Sequence, residues 1–192
     1  MARLSTLRVG ALATLTLAVS AAGSPALAAQ GCTNTRLHPT PSDITLIRGA
    51  TLCLINRERA AHGERPLRPN RRLRRAAQAH SRSMAFGDYF QHDGGGGPGG
   101  GTPLTRIRDA GYISSSHVDF EVGENIAWGT LWLSTPHSIV KAWMSSPGHR
   151  ANILNRSYRY TGIGVGTDLP HSMSEGQAGG MYTQDFGTII GH

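Results

Sequence analysis

Three side chains in this chain have the chemistry of a site: His92 in Tyr89–Asp93 (YFQHD), Glu124 in Gly123–Gly129 (GENIAWG) and His149 in Trp143–Leu154 (WMSSPGHRANIL). Two imidazoles and a carboxylate can hold zinc, or another divalent metal, with one coordination position left to water. The same groups can pair a general base with an orienting carboxylate. A third reading is a hydrogen-bonded His–Glu–His cluster that ties helices to a sheet. No two of these residues stand at a local ligand spacing such as HxxxH, so the fold has to gather them. Ser146-Pro147 marks a helix start, which places His149 in a first turn, where the positive dipole end favours neutral imidazole.

Other chemistries lack their signatures. There is no GxSxG and no HExxH. The run GGGGPGGG at Gly94–Gly101 has no Gly-Lys-Ser/Thr after it and no strand before it, so it reads as a flexible surface loop rather than a phosphate cradle. His80 falls on an apolar helical stripe and reads as a satisfied core histidine, remote from the other two. His38, His62, His117, His137, His171 and His192 carry no motif, and Trp128, Trp132 and Trp143 read as packing residues. Asn125 and Asn152 read as turn residues that bond backbone. Glu121 precedes Glu124 by an odd number of positions, so on a strand the two face apart.

The elements that must position these groups follow from periodicity and punctuation. Met1–Ala29 has Arg3 and Arg8, a weakly apolar Val9–Ala22 and a small-x-small Ala26–Ala28, the pattern of a secretory signal. About 160 residues then remain, enough for one domain: an extended arm over 30–43 and a folded unit over 44–190. Asp43 is the expected cap of a helix with Ile47, Ala50, Leu54 and Ile55 on one stripe, stopped at Gly63. A second helix starts near Asn70, buries Leu73, Ala76, Ala77, His80 and Met84, and ends at Gly87. Thr102 or Thr105 starts a short helix through Ile107 and Ala110. Val118–Ile126 alternates like a strand. Thr135 caps a helix from Pro136 that buries Ile139, Val140, Trp143 and Met144, and Ser146 caps the next. Gly162 and Gly164 alternate with Ile163 and Val165, so a backbone or helix can approach that strand's glycine face. Gly179–Ile190 is its expected partner. Helices come early and strands late, an α+β order.

The formal charge of +7 falls to about +5 without Arg3 and Arg8, and Lys141 is the only lysine. Nine arginines fall between Arg57 and Arg82, opposed only by Glu58 and Glu64. Such a patch is either a solvated helix face or a surface for an anionic polymer or lipid headgroups. With no aromatic residues among the arginines of an exported chain, nucleic acid is not an expected partner. Cys32 and Cys53, in that compartment, are expected to form a disulfide.

From Leu52 to Gly187 the chain resembles the bacterial, cysteine-poor branch of the CAP family: cysteine-rich secretory, antigen 5 and pathogenesis-related 1 proteins. The matching pieces are LINRERAAHGERPL, LRRAAQAHSRSMA, YFQH, RIRDAGY, GENIAWG, WMSSPGHRANIL, GIGVG and YTQDFG. The resemblance implies a three-layer α-β-α sandwich whose central cleft is lined by two His and two Glu. Residue by residue these positions are His92, Glu124 and His149, with Ser146 where the family's second Glu stands, so the tetrad is incomplete. Gln184 and Asp185 are further cleft positions that only the resemblance suggests. It implies a secreted or cell-wall-associated monomer that acts by binding a lipid or sterol-like molecule, a cell-envelope polymer or a protein. The alternative is a metal-dependent hydrolase using His92, Glu124 and His149.

Overall fold

The structure, a computed structural model, describes residues 31–95, 97–115 and 118–190; the expected signal segment lies outside them. The first helix, α1 (Ile44–Ala61), buries Ile47, Ala50, Leu54 and Ile55 as its stripe requires, and Gly63 follows at φ 74°. Asp43 stands before α1 without capping it, because its carboxylate accepts the Thr40 hydroxyl instead (2.6 Å). After a two-residue strand β1 (Arg68–Pro69) comes α2 (Arg71–Phe86). The Asn70 side chain accepts the backbone N–H of Arg72 and of Leu73, satisfying two of the free donors at the helix start. Next come α3 (Pro103–Asp109), capped by Thr102, and the long strand β2 (Asp119–Thr130). Thr135 caps α4 (Pro136–Ser145), with Met144 only half buried. Ser146 precedes α5 (Pro147–Leu154) without making a side-chain cap, contrary to expectation. Strand β3 (Tyr160–Gly166), a one-turn helix α6 (His171–Ser174) and β4 (Gly179–Ile190) complete the fold.

The four strands lie in the order β1-β3-β4-β2, with β4 antiparallel to both long neighbours and β1 parallel to β3. Alternation along the strands divides the core between two helical layers. Tyr182, Phe186, Ile163 and Val165 pack with residues of α1, α4 and α5, including Ile47, Leu54, Ile139, Trp143 and Ile153. On the other face the Ser81 hydroxyl of α2 donates to Thr183 (2.9 Å), and α2 and α3 share Leu73, Ala76 and Ile107. The glycines of β3 explain how closely α2 lies. A Cβ on Gly162 would come within 2.0 Å of the Arg74 backbone N, and one on Gly164 within 2.3 Å of Ala77 backbone atoms. The result is an α-β-α sandwich. The arm is pinned to α1 by the Cys32–Cys53 disulfide, with Cα atoms 5.8 Å apart, an ordinary span for such a bond.

Candidate functional site

β2 presents Glu124 toward α2 and its neighbour Asn125 toward α5, and this parity sets the site. Glu124 is 6% exposed, and both of its oxygens are engaged. The His92 ring nitrogen Nδ1 lies 2.8 Å from Oε1, and Arg106 of α3 donates through Nη2 to Oε2 at 2.6 Å. Arg106, 4% exposed, also donates to the His92 carbonyl (2.9 Å) and to the Gly101 carbonyl, so one guanidinium fastens the YFQH segment and the glycine-rich loop to the sheet. His80 is fully buried, as expected of a core histidine. It is not remote, however: its Nε2 stands 3.8 Å from Glu124 Oε1. Its two ring nitrogens meet the carbonyls of Gly99 and Gln91, each at 3.1 Å.

Backbone contacts anchor the glycine-rich segment near both of its ends. Gly94 and Gly101 exchange backbone hydrogen bonds (3.0 and 3.2 Å). Gly99, at φ 84°, lies so close to α2 that a Cβ there would meet the Ala79 carbonyl oxygen at 2.2 Å. Gly99 is laid on the helix, and glycine is what lets it lie there.

Directly across the β2–β4 pair from Glu124 stands Asp185, fully buried, and neither of its oxygens accepts a hydrogen bond among the described residues. Burial, then the charge of Glu124, pushes the Asp185 carboxyl well above the usual carboxylate range, against a smaller opposing pull from Arg106. Burial beside the Glu124 charge thus disfavours the ionised form of Asp185. Burial also acts to raise Glu124, but the His92 hydrogen bond and the Arg106 charge outweigh it and hold Glu124 below its ordinary value. The hydrogen bond to Glu124 raises His92, whose side chain is 50% exposed, while burial lowers His80.

His149 reaches the site from the opposite helical layer. Asn125 Nδ2 donates to the His149 carbonyl (3.1 Å), and Asn152 Nδ2 donates both to the Glu124 carbonyl (3.1 Å) and to Asn125 Oδ1 (2.9 Å). These asparagines join strand to helix rather than shaping turns. The His149 ring is half buried; burial lowers its pKa first, and the charge of nearby His92 lowers it further. Glu121 turns from Glu124 and accepts from Asn155 (2.7 Å).

Among the other expected cleft residues, Ser146 is half buried at the α4–α5 junction. Gln184 faces no cleft: it is fully buried on the Asn125 side, where it donates to the Thr161 hydroxyl (3.2 Å). Trp132, read as packing, is 67% exposed between exposed Leu131 and Leu133. Arg106 was not legible in the sequence. It sits in a seven-residue helix, too short for a periodic face to single it out.

A zinc ion at His92, His149 and Glu124 would need free lone pairs on one face. Among the described residues no three His, Cys, Asp or Glu side chains are grouped as metal ligands. Glu124 already has Arg106 on one oxygen and His92 on the other, and a guanidinium in contact repels a cation. As arranged, these donors do not fit a metal ion.

The sequence profile of the cysteine-rich secretory protein family, CAP, matches residues 52–186. The chain is 32% identical over 167 residues to the uncharacterized protein YkwD of Bacillus subtilis, covering 87% of this chain and 56% of that protein. It is 32% identical over 115 residues to the uncharacterized membrane protein YlbC of the same organism, covering 59% of this chain and 30% of that one. It thus spans little more than half of the first relative and less than a third of the second. Among solved structures, an extracellular protein containing an SCP domain from Bacillus anthracis aligns with a TM-score of 0.58 and 27% identity, covering 77% of this chain and 43% of that one. An outer surface protein of Borrelia burgdorferi shares the fold at TM-score 0.58 and 17% identity, covering 79% of this chain and 96% of that one.

Proposed function

We propose, for a chain that belongs to the cysteine-rich secretory protein (CAP) family, that it acts by binding, outside the cell or in its wall, and not by catalysis. The family alone cannot supply this, since one scaffold hosts unrelated activities. The observation that carries it is the state of Glu124. A carboxylate with one oxygen on the Arg106 guanidinium and the other on His92, buried beside Asp185, is set against a cation and held too firmly to act as a mobile general base. It serves instead as a clasp that holds the His92 segment at the rim of the cleft, with His92 and His149 as the polar groups a ligand meets. The metal-dependent hydrolase reading would require Glu124 to part from Arg106, and no contact favours that.

Three ligand classes suit this reading: a lipid or sterol-like molecule, a cell-envelope polymer, or a protein. No helix among the described residues is long and apolar enough to cross a membrane. The extracellular and outer-surface relatives support a place at or beyond the cell surface. Co-sedimentation of the purified protein with isolated bacterial cell envelopes tests the reading. At high salt, which screens the exposed arginines, the protein is expected to pellet with the envelopes and His92→Ala to pellet less. Protein that stays in the supernatant, or that pellets equally with and without His92, would contradict it.

A further inference from the structure

The arginines of α2 do more than solvate a helix. Arg71, Arg74, Arg75 and Arg82 recur along one side of α2, where residues three and four apart are neighbours. From first to last they cover about 16 Å of helix axis at about 1.5 Å per residue. Opposite them stands Arg48 of α1, and between the two helices lie adjoining hollows of about 380 and 410 Å³ that share Arg48, Arg71 and Arg74. No carboxylate lines either hollow.

Arg48 is the informative member. Its Nη2 donates to Gln78 Oε1, and Gln78 is itself fixed to β3 by accepting from Val165 N (3.0 Å) and donating to Val165 O (2.9 Å). The Nε of Arg48 is buried without a partner among the described residues. Burial and then the charges of Arg74 and Arg82 bear on it in one direction, against its protonated form. A half-buried cation held rigidly among like charges is a standing cost unless an anion relieves it.

We propose that this trough between α1 and α2 binds a linear phosphate-ester polyanion of the cell envelope. The inference rests on the reading that the protein acts by binding at the cell surface, and it names a polymer class and a place apart from the His92 cleft. Guanidinium forks match phosphate oxygens bidentately. A row of them the length of several covalent repeats suits a chain of charges better than a single ion. A flat membrane fits less well: the surface is concave, and none of the exposed large apolar side chains, Leu46 and Phe86 included, lines it.

Fluorescence anisotropy of end-labelled inorganic polyphosphate titrated with the purified protein tests the proposal. Saturable binding that weakens linearly with log salt is expected. The double variant Arg74→Gln/Arg75→Gln should lose at least tenfold in affinity and flatten the salt slope by about 1.4, on about 0.7 per phosphate contact. Arg57→Gln/Arg65→Gln, which removes two exposed arginines outside the trough, should stay within about twofold of the parent. His92→Ala should bind the polymer as the parent does, which separates this site from the cleft. Absence of binding at low salt, or an equal loss in the Arg57/Arg65 variant, would overturn the proposal. So would competition by orthophosphate at equal total phosphate, or preference for phosphatidylglycerol vesicles over the polymer.

Discussion

Glu124 is a buried carboxylate held below its ordinary pKa, and Arg106 and His92 are arranged around it. Removing Arg106 leaves Glu124 buried against Asp185 with its cation gone. Arg106→Ala is expected to cost about 3–5 kcal/mol in urea unfolding, the range for breaking a buried pair. Asp185→Asn keeps the shape and replaces a carboxyl whose charged form burial disfavours, so it should cost far less than Arg106→Ala; an equal loss would show that Asp185 is ionised. The pH dependence has a defined sign. His92 is raised from 6.5, so its bond to Glu124 adds stability that is fully present below 6.5 and is lost as pH rises through the raised value. Glu124 is lowered from 4.5, so its share is present above 4.5 and is lost as pH falls through the depressed value. The difference in Tm between the parent and His92→Ala should therefore be widest between pH 4.5 and 6.5 and shrink toward both sides. His92 and Glu124 could be picked from the sequence because each sits in a patterned segment. The upward push on the Asp185 carboxyl could not, since it depends on which residue of β4 lies opposite Glu124.

At the scale of elements, most of the fold was legible because helix stripes and glycine alternation are local signals. The alternating glycines of β3 foretold a close approach, and α2 is what approaches. Gly164→Ala would place a Cβ 2.3 Å from Ala77 backbone atoms, which cannot yield as a side-chain tip can. It is expected to cost about 1–3 kcal/mol or more. Gly49 of α1 has nothing within 4 Å of its Cβ position, so Gly49→Ala should instead stabilise by about 0.4–1 kcal/mol. Opposite signs in denaturant melts check the pair. The contacts of Gly99 and Gly101 were not legible in the sequence because they are made with the Ala79 backbone, the His80 ring and Arg106. Asp43 and Ser146 have cap-forming side chains at helix starts, yet neither caps, so residue type alone did not decide there.

For the whole molecule, two helical layers packed on one sheet bring residues far apart in sequence to the two faces of β2. His92 and Glu124 come from the α2–α3 side, and His149 comes from the α5 side of the same strand. The disulfide holds the arm to α1, and its reduction should lower stability by about 3 kcal/mol in the chain-entropy account. We propose that Glu124 is a clasp held by Arg106 and His92 and that the protein binds rather than catalyses through a metal. Calorimetric titration of the untagged protein with zinc tests it most directly, run beside Ser146→Glu, which restores the family's fourth cleft residue. The natural protein is expected to give no saturable one-to-one heat at micromolar concentration, and Ser146→Glu to bind more tightly. Tight one-to-one binding by the natural protein, abolished by His92→Ala and unimproved by Ser146→Glu, would contradict the account.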